Sequence, residues 1–329
     1  MVNVSRRKVD IVSRSCCWIV VPLFRDLPSF LRLREEIQQC WACSEFVDSH
    51  EVRFLIIDDS AGSDEAFRGL ELGTTEVVVP PFNLGHQRAL VFGLRLLAPR
   101  LHDSDIIITM DGDGEDQPRD VVRLASALAQ SPENTVVLAR REQRTESMKF
   151  KVLYESFRWF FRILTGVSIR TGNFAAQWGS FVVKTIFHPS FDLCYSTTLL
   201  ALQRPTNFVP CARGVRFEGS SKMNFHRLVA HGVRMLLPFA ERIAVRMLVI
   251  SGCLLGVGTL SGFSLVVLEL FGGVDAMPIA FVPLIALLAG VVTFSGFLAI
   301  FAGFAQSSAI ALKGLDGTDY GSSAFADEE

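Results

Sequence analysis

The chain of 329 residues has no surplus of basic charge: 32 Lys and Arg stand against 34 Asp and Glu, for a net charge of −2. A nucleic-acid surface needs a basic excess, so no nucleic-acid partner is expected. Internal repeats and low-complexity tracts are also missing, which excludes a repeat architecture. Cysteine is sparse at seven residues, and Cys40-Trp-Ala-Cys43, the one pair at CxxC spacing, has no second pair to complete a zinc site. Ordinary packing is the expected role of those two thiols. No cleavable leader is expected either. The apolar stretch Cys16 to Phe24 is short, stops at Arg25 and Asp26 and lacks a small-residue cleavage site, so it reads as a first strand.

Charge itself vanishes from two long stretches. Met247 to Leu268 and Ala276 to Leu312 contain no Asp, Glu, Lys or Arg. Each is long enough to span a bilayer as a helix, and a short Gly272-Gly273-Val274-Asp275 turn lies between them. They account for a mean hydropathy of +0.35 in a chain that is still 20% charged. Arg227, Arg234, Arg242 and Arg246 precede the first span, the turn has no Lys or Arg, and Lys313 follows the second. The positive-inside rule then puts both termini and the large N-terminal part in the cytoplasm, at the inner membrane or its equivalent. Residues 225–242 can gather Phe225, Leu228, Val229, Leu236 and Phe239 on one helix side with Arg227 and Arg234 flanking, the pattern of a helix lying on the bilayer. The expected organisation is a cytoplasmic domain over 1–224, a juxtamembrane helix over 225–246, a hairpin over 247–312 (spans about 247–271 and 277–305) and a tail over 313–329.

Within the first part, apolar runs alternate with amphipathic stretches. Strands are expected at Trp18–Phe24, Val52–Ile57, Glu76–Val79, Ile106–Met110 and Thr135–Leu138, and helices at Leu27–Cys43, Asp64–Glu71, Gly85–Leu97, Pro118–Gln130 and Glu146–Leu164. That order predicts an α/β domain with a mainly parallel sheet covered on both faces. The run Ile106 to Pro118 is the most telling: a buried strand delivers Asp111, Asp113, Glu115 and Asp116 at its C-terminal end, where ligands bind in open α/β sheets. Crowded carboxylates repel unless a cation joins them, and hard oxygen ligands suit Mg²⁺ or Mn²⁺ holding substrate phosphates. The plainer alternative is an acidic turn leading into the helix at Pro118, with Asp116 as its cap. Four further groups carry polar chemistry: Val20-Val21-Pro22-Leu23-Phe24-Arg25-Asp26 and Leu55-Ile56-Ile57-Asp58-Asp59-Ser60 end strands in acids; Asn83-Leu84-Gly85-His86-Gln87 opens a helix; Arg213, Arg216, Gly219, Ser221 and Lys222 form a basic loop suited to phosphate.

Together these motifs resemble family 2 glycosyltransferases with the GT-A, Rossmann-like fold, and more closely the membrane-bound polyprenyl-phosphate glycosyltransferases that include dolichol-phosphate mannose synthase. Val-Val-Pro-Leu-Phe-Arg-Asp is similar to that group's VVPxYNE, Asp58-Asp59-Ser60 to DDGS, Asn83 to Gln87 to NxGHQ, Asp111 to Pro118 to DADLQDPP, and Arg213 to Lys222 to RxxRxxGxSK. The chain departs from the pattern at Arg25 for Asn, at Ala61-Gly62-Ser63 for STDG, at Gly114-Glu115 for Leu-Gln, and at Gly172-Asn173-Phe174, where many relatives have an acid before Phe.

The resemblance implies inverting transfer of a sugar from a nucleotide-diphosphate sugar to a polyprenyl phosphate in the membrane. It places Pro22, Leu23, Asp26, Asp58, Asp59, Gln87, Asp111 and Arg140 at the nucleotide-sugar, with Arg141 the alternative to Arg140 as a cation near the diphosphate. Asp113 and Glu115 become ligands of Mg²⁺ or Mn²⁺, and Arg213, Arg216, Ser221 and Lys222 grip the lipid phosphate. It admits a homo-oligomer. Three rivals remain open: an inactive nucleotide-sugar-binding scaffold, a phosphoryl-transfer enzyme using Asp111 as nucleophile, and a processive polysaccharide synthase. Gln177-Trp178 lacks the last one's QxxRW spacing, and two spans make a poor channel.

Overall fold

The computed structural model describes residues 14–67, 73–141, 148–218, 225–271 and 281–315. The chain divides into two compact units, Met1–Thr145 with Arg170–Lys222, and Glu146–Ile169 with Met223–Glu329.

The first unit is built on seven strands: β1 (Ser15–Leu23), β2 (His50–Asp58), β3 (Thr75–Val78), β4 (Ile106–Thr109), β5 (Val136–Arg141), β6 (Thr171–Trp178) and β7 (Thr206–Cys211). They form one sheet in the order β3-β2-β1-β4-β6-β5-β7. β6 runs antiparallel to both neighbours, and every other pair is parallel. Side chains alternate across the sheet with period two, so β1 feeds two cores. Cys17, Ile19, Val21 and Leu23 face one way, where Phe30, Leu33 and Ile37 of α1 (Leu27–Ala42) and Val121, Leu124 and Leu128 of α3 (Pro118–Ala129) cover them. Trp18 and Val20 face the other way, under Leu90 and Leu94 of α2 (His86–Leu97), Phe181 of α5 (Gly179–Thr185) and Tyr195 of α6 (Tyr195–Ala201). This is the mixed, doubly covered α/β sheet that the alternation of elements predicts.

Differences from the sequence reading are local. β6, β7, α5 and α6 were not expected. β6 carries Gly172, Asn173 and Gln177, which break the apolar signal, and it is held by neighbours on both sides. β7 contains Pro210, tolerated because β7 is the sheet edge. Of the helix expected at Asp64–Glu71, the described part holds a 3₁₀ turn at Glu65–Phe67, and residues 68–71 lie outside the described residues. Asp116 does not cap α3. Gln117 occupies the cap position, and an Asp116 oxygen instead accepts the Asp111 backbone N–H at 3.1 Å.

The second unit contains α4 (Met148–Thr165), α7 (Phe225–Leu236), α8 (Ala240–Leu270) and α9 (Phe281–Leu315). A 3₁₀ turn at Leu237–Phe239, with Pro238 inside it, separates α7 from α8, so the long helix starts seven residues before the expected span at 247. The expected turn at 272–275 lies outside the described residues. α8 and α9 are long and apolar enough to cross a membrane, and residues such as Leu260 and Phe263 are mostly exposed. The two helices pack closely, with Gly258 against Leu287, Gly290 against Leu255, and Ser251 Oγ donating to the Gly290 carbonyl at 2.9 Å. Arg246 of α8 donates to the Ile163 carbonyl in the last turn of α4, where a cation is favoured. Trp159, Phe160 and Ile163 of α4 are exposed despite their size.

Candidate active site

The strand order reverses beside β1: the chain builds outward through β2 and β3, then returns to place β4 on β1's other side. The crevice at the C-terminal ends of β1 and β4 is the topological switch point where open α/β sheets bind ligands. Register brings the expected residues to it. Leu23 pairs with Asp58, the Asp59 N–H donates to the Leu23 carbonyl at 2.8 Å, and the Met110 N–H donates to the Val20 carbonyl at 3.2 Å. Pro22, Leu23, Asp58, Asp59 and Asp111 therefore share one end of the sheet.

The acidic turn after β4 is clasped by the strap that follows β7. Arg216 Nη2 lies 2.6 Å from Asp113 Oδ2, Arg216 Nε lies 3.8 Å from Glu115 Oε1, and Arg213 forks onto Glu115 Oε2. Backbone contacts reinforce the clasp, since the Gly214 N–H donates to the Glu115 carbonyl at 2.8 Å and the Phe217 N–H to the Asp113 carbonyl at 2.9 Å. Glycine is required on both strands of this contact. Gly114 has φ +84° and a Cβ there would stand 2.6 Å from the Phe217 ring; a Cβ on Gly214 would stand 2.4 Å from the Gly114 carbonyl oxygen. The Arg32 guanidinium covers Phe217 at 4.1 Å from the ring centroid. Burial raises the Asp113 carboxyl above its ordinary value, and Asp111 and Glu115 raise it further, against the opposing pull of the Glu115 N–H and Arg216. Glu115 is thus the anchor of Arg213. Sequence spacing pairs none of these residues, because the partners lie about a hundred positions apart.

Asp111 meets a different set. His86 Nε2 is 2.8 Å from Asp111 Oδ1, and the Asn173 amide nitrogen is 3.3 Å from the same oxygen. Burial opposes charge on the His86 ring, but Asp111, with Asp116 and Asp113 behind it, outweighs that and raises its pKa. Gln87 reaches Asn173 rather than open cleft. Beneath them lies a buried polar knot, in which Thr109 Oγ1 donates to the Asn173 carbonyl at 2.6 Å and Tyr195 Oη sits 3.1 Å from Thr109 and 2.5 Å from Gln177 Nε2. Burial pushes the Tyr195 phenol up to about 12.

The remaining expected residues divide between frame and rim. Asp58 accepts the Ser60 N–H at 3.0 Å, and Asp59 accepts the Leu84 N–H at 2.7 Å while its carbonyl accepts from Asn83 at 2.8 Å. Both acids are nearly fully buried, and burial raises the Asp59 carboxyl despite the Leu84 and Gly85 N–H groups. Asp59 thereby shapes the loop before α2, and Asp58 the turn at Ser60. Asp26 stands half-buried before α1 without a capping bond, and Arg140 is exposed at the end of β5. Arg25 adopts φ 53° and donates to Ser63 at 3.1 Å. Asn tolerates the left-handed region better than Arg, so Arg25 holds a backbone conformation that disfavours it. Gly219, Ser221 and Lys222 lie outside the described residues, as do the side-chain surroundings of Arg141. A separate depression of about 400 Å³ opens at the opposite end of the sheet beside Ser15 and Trp18. Its Arg53 and Arg100 are already paired with Glu51 and Glu76.

Among the described residues no three His, Cys, Asp or Glu side chains gather as a closed metal cage. Asp113 and Glu115 fit the other mode of binding, in which one or two carboxylates hold Mg²⁺ and substrate phosphates complete its shell. Burial is the main cause that raises Asp113, and the neighbouring Asp111 and Glu115 carboxylates add a repulsion that a divalent cation would relieve.

Three comparisons bear on this arrangement. The family model described as glycosyl transferase family 2 matches residues 19–184, half of the chain, and this segment runs from β1 through most of α5, taking in the acidic turn, His86 and Asn173. No curated protein matches the chain. Among solved structures, the 2-C-methyl-D-erythritol 4-phosphate cytidylyltransferase of Francisella tularensis is similar over 67% of this chain and 99% of its own, at 11% identity and a TM-score of 0.31.

Proposed function

The chain belongs to glycosyl transferase family 2, and from that premise we propose that it transfers a sugar, with inversion, from a nucleotide-diphosphate sugar to a polyprenyl phosphate. The observation that carries this reading is an acidic turn at the C-terminal end of β4 whose Asp113 and Glu115 carboxylates pair with Arg216 and Arg213, in a chain with two bilayer-length helices. Acids suit a metal–diphosphate, and guanidinium forks suit phosphate oxygens.

In this mechanism a phosphate-monoester oxygen attacks the anomeric carbon, its bond to the diphosphate breaks, and the nucleoside diphosphate departs with that electron pair. The phosphate is already ionised near neutral pH and needs positioning and desolvation more than a general base. Asp58, Asp59 and Asp26 border the nucleoside, Pro22 and Leu23 form the wall, Asp111 faces the sugar, and Arg140 neighbours the diphosphate. Asp113 and Glu115 would hold Mg²⁺ or Mn²⁺, which supplies Lewis-acid neutralisation of the leaving charge when bound. Arg213 and Arg216, with Ser221 and Lys222, then turn to the acceptor phosphate. The hairpin keeps that phosphate at headgroup depth on the cytoplasmic side, and α7 rests on the same surface.

The test is purified full-length protein with Mg²⁺, undecaprenyl or dolichyl phosphate and a panel of UDP- and GDP-sugars, followed by mass analysis of the lipid. A lipid of one added hexosyl mass is expected, absent in Asp113→Asn. Lys222→Ala should weaken use of the lipid more than of the donor, and the reverse would refute the basic loop as acceptor site. The ion pairs that occupy Asp113 and Glu115 favour one alternative, a sugar-nucleotide-binding scaffold, which would show donor binding with no product.

A further inference from the structure

The contacts around His86 have a direction that can be traced from a fixed donor. The Ser196 backbone N–H, at the start of α6, can only donate, and its partner at 3.0 Å is Gln87 Oε1, which Cys194 Sγ also approaches at 3.4 Å. Gln87 must then turn its amide nitrogen to Asn173, whose oxygen accepts it. Asn173 is in turn left presenting its nitrogen to His86 Nε2 at 2.5 Å and to Asp111 Oδ1 at 3.3 Å. The Asn173 backbone is pinned from below by Thr109 Oγ1 at 2.6 Å, and the residue is 8% exposed. Flipping Gln87 would strand the Ser196 backbone donor, and flipping Asn173 would set its nitrogen against that of Gln87.

His86 Nε2 therefore stands between an acceptor, the Asp111 carboxylate at 2.8 Å, and a donor, the Asn173 amide. One ring nitrogen satisfies one of them: carrying a proton it donates to Asp111, and bare it accepts from Asn173. The charged groups around the ring are Asp111, Asp113 and Asp116 after β4 and Asp59 after β2, and all four favour the proton. We propose that His86 is a positioning residue that pins the Asp111 carboxylate through Nε2–H, and that Asn173, oriented by Gln87 from the start of α6, weakens that hold so that a sugar hydroxyl can take the same Asp111 oxygen. This rests on the sugar-transfer reading for the identity of the hydroxyl, but the hydrogen-bond relay stands without it. An acid at position 173 would accept from His86 and lock the ring as a cation; Asn at that position keeps the pair exchangeable.

Full-length protein labelled with ¹⁵N-histidine in detergent micelles reports the state of each ring nitrogen through its chemical shift, and His86→Gln identifies the resonance among six histidines. Nε2 is expected protonated at neutral pH with no substrate present. Asn173→Asp should keep it so to a pH at least one unit higher. A bare Nε2 in the unmutated protein, or an unchanged ring in Asn173→Asp, overturns the proposal. In sugar transfer with UDP-glucose or GDP-mannose, His86→Ala should lower kcat at least tenfold, and His86→Gln, whose amide can still donate to Asp111, should recover most of it with a similar melting temperature for both. Wild-type kcat in His86→Ala also overturns it. If the unmutated protein turns over neither donor, the transfer reading is what fails, and the ring shifts alone decide the relay.

Discussion

Arg216→Gln should make the protein bind Mn²⁺ more tightly while transferring sugar more slowly. The cation and the metal compete for one carboxylate, because Arg216 Nη2 sits 2.6 Å from Asp113 Oδ2 with 28% and 14% of the two side chains exposed. Unit charges 4 Å apart attract by about 4 kcal/mol at an effective dielectric near 20. Fully exposed pairs keep at most about 1 kcal/mol of that. A mostly buried pair on a strap also held by two backbone hydrogen bonds falls between, at ~1–2 kcal/mol, which corresponds to roughly fivefold to thirtyfold in an equilibrium. Removing the charge but keeping a polar side chain should therefore lower the Mn²⁺ dissociation constant about tenfold, read by titration calorimetry or by loss of the free-Mn²⁺ paramagnetic signal without donor present. The double change Arg216→Gln with Asp113→Asn should abolish the gain. Unchanged or weaker Mn²⁺ binding in a folded Arg216→Gln protein would refute the argument that the strap and the metal share Asp113.

Two further outcomes follow from the same geometry. Gly114→Ala places a methyl 2.6 Å from the Phe217 ring at φ +84°; the left-handed backbone alone costs about 1–2 kcal/mol, so the melting temperature should fall by several degrees and product formation with it, and an unchanged melting curve would show that the strap does not pack there. Tyr195, raised to about 12, keeps its proton in the folded state while the unfolded phenol loses it near 10, so stability should decline as pH rises from about 10 to about 12; absorbance titration should show one of the three tyrosines ionising only at the top of that range, and Tyr195→Phe should remove the delay.

Much of the fold was legible because hydrophobic periodicity is a local property. β1, β2, β3 and β4 lie within about three residues of their expected ranges, and α1, α2 and α3 within about one, since each carries its own apolar run or amphipathic stripe. β6 was not, because its Asn173 and Gln177 are polar for reasons outside the strand: they serve His86, Gln87 and Tyr195. α4 was anticipated as a helix, but its membership in the unit with α7, α8 and α9 is not written in its own residues. The motif residues at the switch point were visible in the same way, as acids ending apolar runs. Their pairings were not: Arg213 and Arg216 read as free phosphate ligands in sequence and are engaged with Glu115 and Asp113 in the folded chain.

Composition and order along the chain were sufficient for an α/β domain, an acidic turn after the fourth strand, and two uncharged segments of membrane length; sugar transfer came from the resemblance of the motifs. These follow from interactions between residues a few positions apart, where periodicity, proline and charge leave a direct trace. Only tertiary structure decided that Asp111 answers to His86 and Asn173, that Glu115 holds Arg213, and that glycines 114 and 214 let a strap close over the carboxylates. Those contacts join segments separated by up to about a hundred residues, and their strength depends on burial and distance, which no linear spacing records.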